Sequence, residues 1–182
     1  MEISLLGLQT VEFDILFALQ NLYCGWLNAV MRIFTELGNN GIVWILIGLG
    51  CICFKRSRRC GILMLLTMAI CFVLGNGLIK NLVARPRPFM YFDREIELLI
   101  PPPGEYSFPS GHTLHSFAAA VTIFLHHKKA GAAAIILAAL IAFSRLYFFV
   151  HFPTDVLGGM ILGTLAAVLV YKAAGKVKPV KE

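Results

Sequence analysis

Five stretches of this 182-residue chain, roughly 40–54, 60–79, 112–127, 130–150 and 153–174, carry almost no charge. Their lengths sit at or somewhat below the ~20 residues that a helix needs to cross a bilayer. Only helices and closed barrels satisfy their own backbone inside lipid, and runs of this length favour helices. The expected fold is therefore all-α, a polytopic membrane helix bundle of five spans. Composition agrees, with 14% charged residues against about 25% in a soluble domain.

The N-terminal segment, residues 1–37, is less uniformly apolar. Asp14, Asn21, Asn28, Arg32 and Glu36 recur at spacings of seven, seven, four and four, which places them on one face of a helix. A polar stripe of this kind suits an amphipathic helix lying in the membrane interface; a sixth span is the alternative. No basic n-region and no small-residue cleavage site open the chain, so no cleavable signal is expected. Cys24, Cys51, Cys53, Cys60 and Cys71 lie in or beside apolar runs without metal or disulfide spacing, and read as buried filler.

The net charge of +6 comes mostly from clusters between apolar runs: "KRSRR" at 55–59, "HHKK" at 126–129 and the tail 172–182. Such clusters mark cytoplasmic loops and ends, and nothing in their arrangement points to nucleic acid. Five spans put all three on one side. The connections 80–111 and 145–152 then share the other, extracytoplasmic side of the cell membrane. The long connection 84–111 contains "RPRP" and "PPPG", so it is not one continuous helix, and Asp93, Arg94, Glu95 and Glu97 make it locally polar.

Three polar clusters fall on that shared side. "KNLVARPRP" supplies Lys80, Arg85 and Arg87; basic residues outside run against the usual trend, and phosphate is the simplest reason for them, with interfacial snorkelling the alternative. "FPSGHTLHSF" supplies Ser110, Gly111, His112 and His115 at the start of an apolar run. Ser110 reads as an N-cap there, with Thr113 in the first turn, and a helix N-terminus suits an anion. "SRLYFFVHFPTDVLGG" supplies Arg145, His151 and Asp155. A carboxylate beside an imidazole fixes its tautomer and makes the other ring nitrogen a better nucleophile or base. No cluster carries the acidic ligands of a two-metal phosphatase. A mononuclear site from His112, His115, His151 and Asp155 is disfavoured by the surrounding cations. Metal-independent phosphoryl transfer, with no cofactor, fits the set best.

Lys80, Arg87 and Pro88 in K-x6-RP, Pro109 to His112 in PSGH, and Ser144, Arg145, His151 and Asp155 in SR-x5-H-x3-D together resemble the three-part signature of the type-2 phosphatidic acid phosphatase family. The short chain and weakly apolar N-terminus are similar to small bacterial undecaprenyl-diphosphate phosphatases. The resemblance implies a single membrane-embedded phosphatase domain over 1–182, with its motifs in 80–155. It implies that His151 is the nucleophile, forming a phosphohistidine, that Asp155 orients it, and that His112 is the general acid. Lys80, Arg87, Ser110, Gly111 and Arg145 would hold the phosphate oxygens. Undecaprenyl diphosphate is the first choice of substrate, before phosphatidylglycerophosphate, phosphatidic acid or lipid A. A lipid phosphotransferase and a non-catalytic lipid-binding or transport protein are the competing functions. Arg85 lies outside the signature and is expected as a headgroup contact or loop anchor; His115 is expected as a packed polar residue.

Overall fold

A computed structural model describes residues 2–92, 96 and 98–175, with side chains from residue 7 onward. Asp93, Arg94, Glu95, Glu97 and the tail from 176 lie outside the described residues. The described chain is helical and contains no strand. Helices α1 (Glu2–Gln20), α2 (Gly25–Gly38) and α3 (Ile42–Cys53) are followed by α4 (Arg58–Cys71). A π-helical stretch, Phe72–Ile79, continues α4 into the short α5 (Lys80–Val83). A 3-10 turn, Pro88–Tyr91, interrupts the long connection before α6 (Gly111–His126), α7 (Lys128–Tyr147) and α8 (Pro153–Ala173). Each of the five apolar runs is thus built around a helix.

Among the described residues, four stretches are long and apolar enough to cross a membrane: Gly25–Cys53, Arg58–Tyr91, Lys128–Tyr147 and Pro153–Ala173. The protein is a multi-pass membrane protein. Its central helix, α6, has only 16 residues and packs most extensively against α7 and α8. Small residues permit that approach, because in lipid close van der Waals contact replaces the hydrophobic effect as the force between helices. A Cβ added at Gly163 of α8 would lie 2.4 Å from the Leu114 carbonyl oxygen, and one at Gly131 of α7 would lie 2.0 Å from the Phe124 Cα. The opposite edge of α8 presents Leu157, Ile161, Leu165 and Leu169, all more than half exposed. Their four-residue spacing makes this its lipid-facing stripe.

The polar stripe of the N-terminal segment does not lie on one continuous helix, because the chain turns at residues 21–24 between α1 and α2. Asp14 is exposed, whereas Glu12, two residues earlier, is buried. On α2, Asn28 accepts a hydrogen bond from the Tyr147 hydroxyl at 2.5 Å, and Arg32 donates to the Leu99 carbonyl at 2.6 Å. Those polar groups therefore bind the protein, and they lie within the spanning stretch Gly25–Cys53. α2 joins α3 through Asn40 and Gly41, both at positive φ. Of the cysteines, Cys60 and Cys71 are buried as filler, while Cys24, in the turn before α2, and Cys53, at the end of α3, are exposed.

The basic ends gather together. Arg59 donates to the Ala174 carbonyl at 3.1 Å, and the His126 ring meets Tyr171 edge-on at 5.1 Å. At the other ends of α4, α6, α7 and α8, the 84–110 connection and the α7–α8 turn come together, as the expected topology requires.

Candidate active site

Each polar cluster is delivered by a different break in a helix. The π-helical stretch carries Asn76 and ends at Lys80; π-helical segments tend to occur at functional sites. Ala84, at φ 45, ends α5 and turns the chain into Arg85-Pro86-Arg87. The α7–α8 turn places Phe149 at φ 59, a costly conformation for a non-glycine residue. It is tolerated because Phe149 is fully buried, in a hydrophobic cluster with Leu16 and Phe152. That turn presents His151.

A cavity of about 400 Å³ opens between these breaks. Lys80, Arg87, Gly111, His112, Arg145 and His151 all line it. His115 lines it as well, one turn beyond His112, with Nδ1 2.8 Å from the Gly111 carbonyl oxygen. Ser110 and Asp155 are not in the wall; both are fully buried behind it.

His151 is 1% exposed. Its Nε2 lies 3.2 Å from Arg87 Nη1, and a guanidinium can only donate, so Nε2 is the unprotonated, accepting nitrogen. Nδ1 therefore holds the proton. It faces Asp155 Oδ2 at 3.6 Å and Ser107 Oγ at 3.4 Å. Ser107 in turn donates its hydroxyl proton to Asp155 Oδ2. Burial, opposed by the Asp155 carboxylate and aided by Arg87 and Arg145, pushes the His151 imidazole down to about 3, so the ring is neutral at physiological pH.

Asp155 is held from several directions. Oδ2 also accepts the Phe152 N–H at 2.8 Å, and Oδ1 accepts Arg85 Nη1 at 2.8 Å. Arg85 is thus a loop anchor and does not line the cavity.

The cations are only partly committed. Arg87 spends Nε on the Glu105 carbonyl at 2.6 Å and Nη1 on the Val150 carbonyl at 2.8 Å. Arg145 donates to Thr35 Oγ1, and its buried Nε has no hydrogen-bond partner among the described residues. Lys80 meets the carboxylate of Glu105, whose side chain is 66% exposed, at 2.5 Å. Lys80 draws the Glu105 carboxyl below its ordinary range, so the pair is ionised at neutral pH. His112 Nε2 lies 3.0 Å from Asn39 Oδ1.

Ser110 departs from its expected role. It stands at the N-cap position, but its side chain caps nothing: Thr113 Oγ1 donates to Ser110 Oγ at 3.0 Å, and the Ser110 N–H is taken by the Asp155 carbonyl at 3.1 Å. The orphan N–H groups of this helix start therefore belong to the residues after it, from Gly111.

Sequence reasoning misses Ser107, Glu105, Thr35, Asn39 and Glu12. No local pattern marks them, because each acts from another part of the chain, Glu12 on Arg85 and Thr154 and the others on motif residues. Among the described residues, no three His, Cys, Asp or Glu side chains gather as metal ligands.

Residues 61–179 match the PAP2 superfamily. The chain belongs to that superfamily. PAP2 membership makes it a membrane-embedded phosphatase, a hydrolase. Its relatives include an undecaprenyl-diphosphatase of Sulfolobus acidocaldarius, 35% identical over 97% of this chain and 86% of the relative. Phosphatidylglycerophosphatase B of Bacillus subtilis is 34% identical over 84% of this chain and 78% of its own length. The crystal structure of a PAP2-type phosphatidylglycerolphosphate phosphatase from Bacillus subtilis superposes with a TM-score of 0.78 at 30% identity. That match covers 96% of this chain and 90% of that one.

Proposed function

We propose that this PAP2 protein hydrolyses a terminal phosphate from a membrane lipid, using His151 as a covalent nucleophile without a metal or cofactor. The observation that carries the reading is the orientation of His151. Its unprotonated Nε2 lines a cavity of cations, while its Nδ1–H faces Asp155.

In the first step His151 Nε2 forms a bond to phosphorus as the bond from phosphorus to the lipid's leaving oxygen breaks. His112 gives that oxygen a proton. Lys80, Arg87, Arg145 and the N–H groups at the start of α6 take up the charge on the three remaining oxygens, where most of the catalysis of phosphoryl transfer lies. Asp155 stabilises the positive imidazole of the phosphohistidine. Water then attacks phosphorus, His112 accepts its proton, the N–P bond breaks, and inorganic phosphate leaves. Ser110 contributes from behind the wall, by fixing the start of α6.

The substrate class we favour is an isoprenyl diphosphate such as undecaprenyl diphosphate, on the strength of the Sulfolobus relative. Its products would be the monophosphate and inorganic phosphate. A second cavity, of about 710 Å³, shares Lys80 and Glu105 with the first and adds Phe89, Met90 and Tyr106, apolar walls suited to the start of a lipid chain. The collection of basic ends at the opposite pole supports an extracytoplasmic site in the cell membrane.

The test is phosphate release from purified protein, with and without chelator, across isoprenyl diphosphate, phosphatidylglycerophosphate, phosphatidic acid and lipid A. Release from the diphosphate that survives chelator and vanishes in His151→Ala is expected. Full activity in that variant, or complete loss with chelator, would sink the mechanism.

A further inference from the structure

Glu12 is one of two neighbouring carboxylates in the middle of α1, and unlike the exposed Asp14 its side chain is only 2% exposed. It lies outside residues 61–179, which match the family, and outside all three signature motifs. Burying a charge in this way is costly unless it is paired and hydrogen-bonded. Its partners meet that condition. Oε2 pairs with Arg85 Nη2 at 2.6 Å, while Oε1 accepts the Thr154 N–H at 3.0 Å and the Thr154 hydroxyl at 2.5 Å. Arg85 reaches the other way, from Nη1 to Asp155 Oδ1 at 2.8 Å, with its guanidinium 3.9 Å above the Phe152 ring. Phe13, the next residue of α1, packs edge-on against that ring at 5.3 Å.

The result is a row of alternating charges, Glu12, Arg85, Asp155, that ends at the Nδ1 face of His151. Two carboxylates share one guanidinium, so the row carries a net negative charge. Without Glu12, Arg85 would be matched to Asp155 alone, and the pair would offer His151 no net charge.

We infer that Glu12 is a positioning residue: α1 completes the active site by dividing the Arg85 guanidinium between two carboxylates, which leaves Asp155 free to hold the His151 Nδ1–H. The inference rests on the nucleophilic role proposed for His151. It gives the N-terminal helix a part in the reaction that the signature motifs do not describe.

Glu12→Gln keeps the shape and removes the charge; Glu12→Asp keeps the charge. With farnesyl diphosphate in mixed micelles, Glu12→Gln is expected to lose kcat by about tenfold, the low end of the scale for residues that orient a functional histidine through another group. Its KM stays within about twofold, because Glu12 does not touch substrate. Glu12→Asp recovers most of the loss. Imidazole ¹⁵N shifts of His151, assigned by their disappearance in His151→Gln, are expected to report an Nδ1–H tautomer in the native protein and a loss of that preference in Glu12→Gln. Wild-type kcat with unmoved shifts in Glu12→Gln overturns the inference. So does an equal loss of kcat in both variants with His151 shifts unmoved, since that is a fold effect alone. If the native protein releases no phosphate from any lipid, the proposed function fails, and the nitrogen shifts still decide the role of Glu12 in either direction.

Discussion

His151 and Asp155 are four residues apart and meet at 3.6 Å, Nδ1 to Oδ2, although His151 lies in the turn before α8 and Asp155 in its first turn. The contact depends on the sharp α7–α8 turn and on the Asp155 side chain folding back to accept the Phe152 N–H. One carboxylate thereby starts the helix, anchors Arg85 and faces the imidazole Nδ1.

Asp155→Asn keeps the size and removes the charge. The amide cannot stabilise a positive imidazole, and its NH₂ group meets donors on every side. Phosphate release is expected to fall by about 10²–10⁴-fold, the range seen when the carboxylate behind a catalytic histidine is neutralised. KM should change little. A steady-state comparison with the native protein, at matched thermal stability, checks this.

Glu105 occupies Lys80 with a carboxylate in the cavity wall, where the proposed reaction seats a phosphate oxygen. Glu105→Gln frees the ammonium. Inorganic phosphate should then inhibit roughly fivefold more tightly, which corresponds to about 1 kcal/mol for one partly exposed ion pair. An unchanged inhibition constant would show that the Glu105 pairing does not compete with substrate.

The buried imidazole also sets a pH dependence of stability. Its native value of about 3 lies below the ordinary 6.5. Between those values the unfolded chain binds a proton that the native protein does not, so stability declines as pH falls through that window. Above pH 6.5 the group has no effect on the slope. The thermal midpoint in detergent from about pH 7 to about pH 4 should therefore fall more steeply in the native protein than in His151→Gln. Parallel curves would contradict the buried, neutral assignment.

What is legible in the sequence follows from range. The apolar runs mark helices because hydropathy is local, and α6 to α8 begin and end within a few residues of the expected bounds. The motif residues Lys80, Arg87, Gly111, His112, Arg145 and His151 are legible because most are polar types that are costly at the edge of lipid. Ser110 reads as a side-chain cap because sequence shows the residue type at a helix start but not where its hydroxyl points. Glu12 escapes notice beside Asp14, since two acids two residues apart on a helix look alike until one of them meets Arg85. Ser107 and Thr35 carry no local signal at all; each is defined by a partner that folding brings from elsewhere in the chain.

The most direct test of the His151 mechanism is capture of the covalent intermediate. The protein would be mixed with isoprenyl diphosphate labelled with ³²P at the terminal phosphate, quenched in alkali within one turnover and mapped by peptide mass spectrometry. An alkali-stable, acid-labile phosphate on His151, absent from His151→Ala, is the predicted result. Label on another residue, or none in a protein that is turning over, would contradict it.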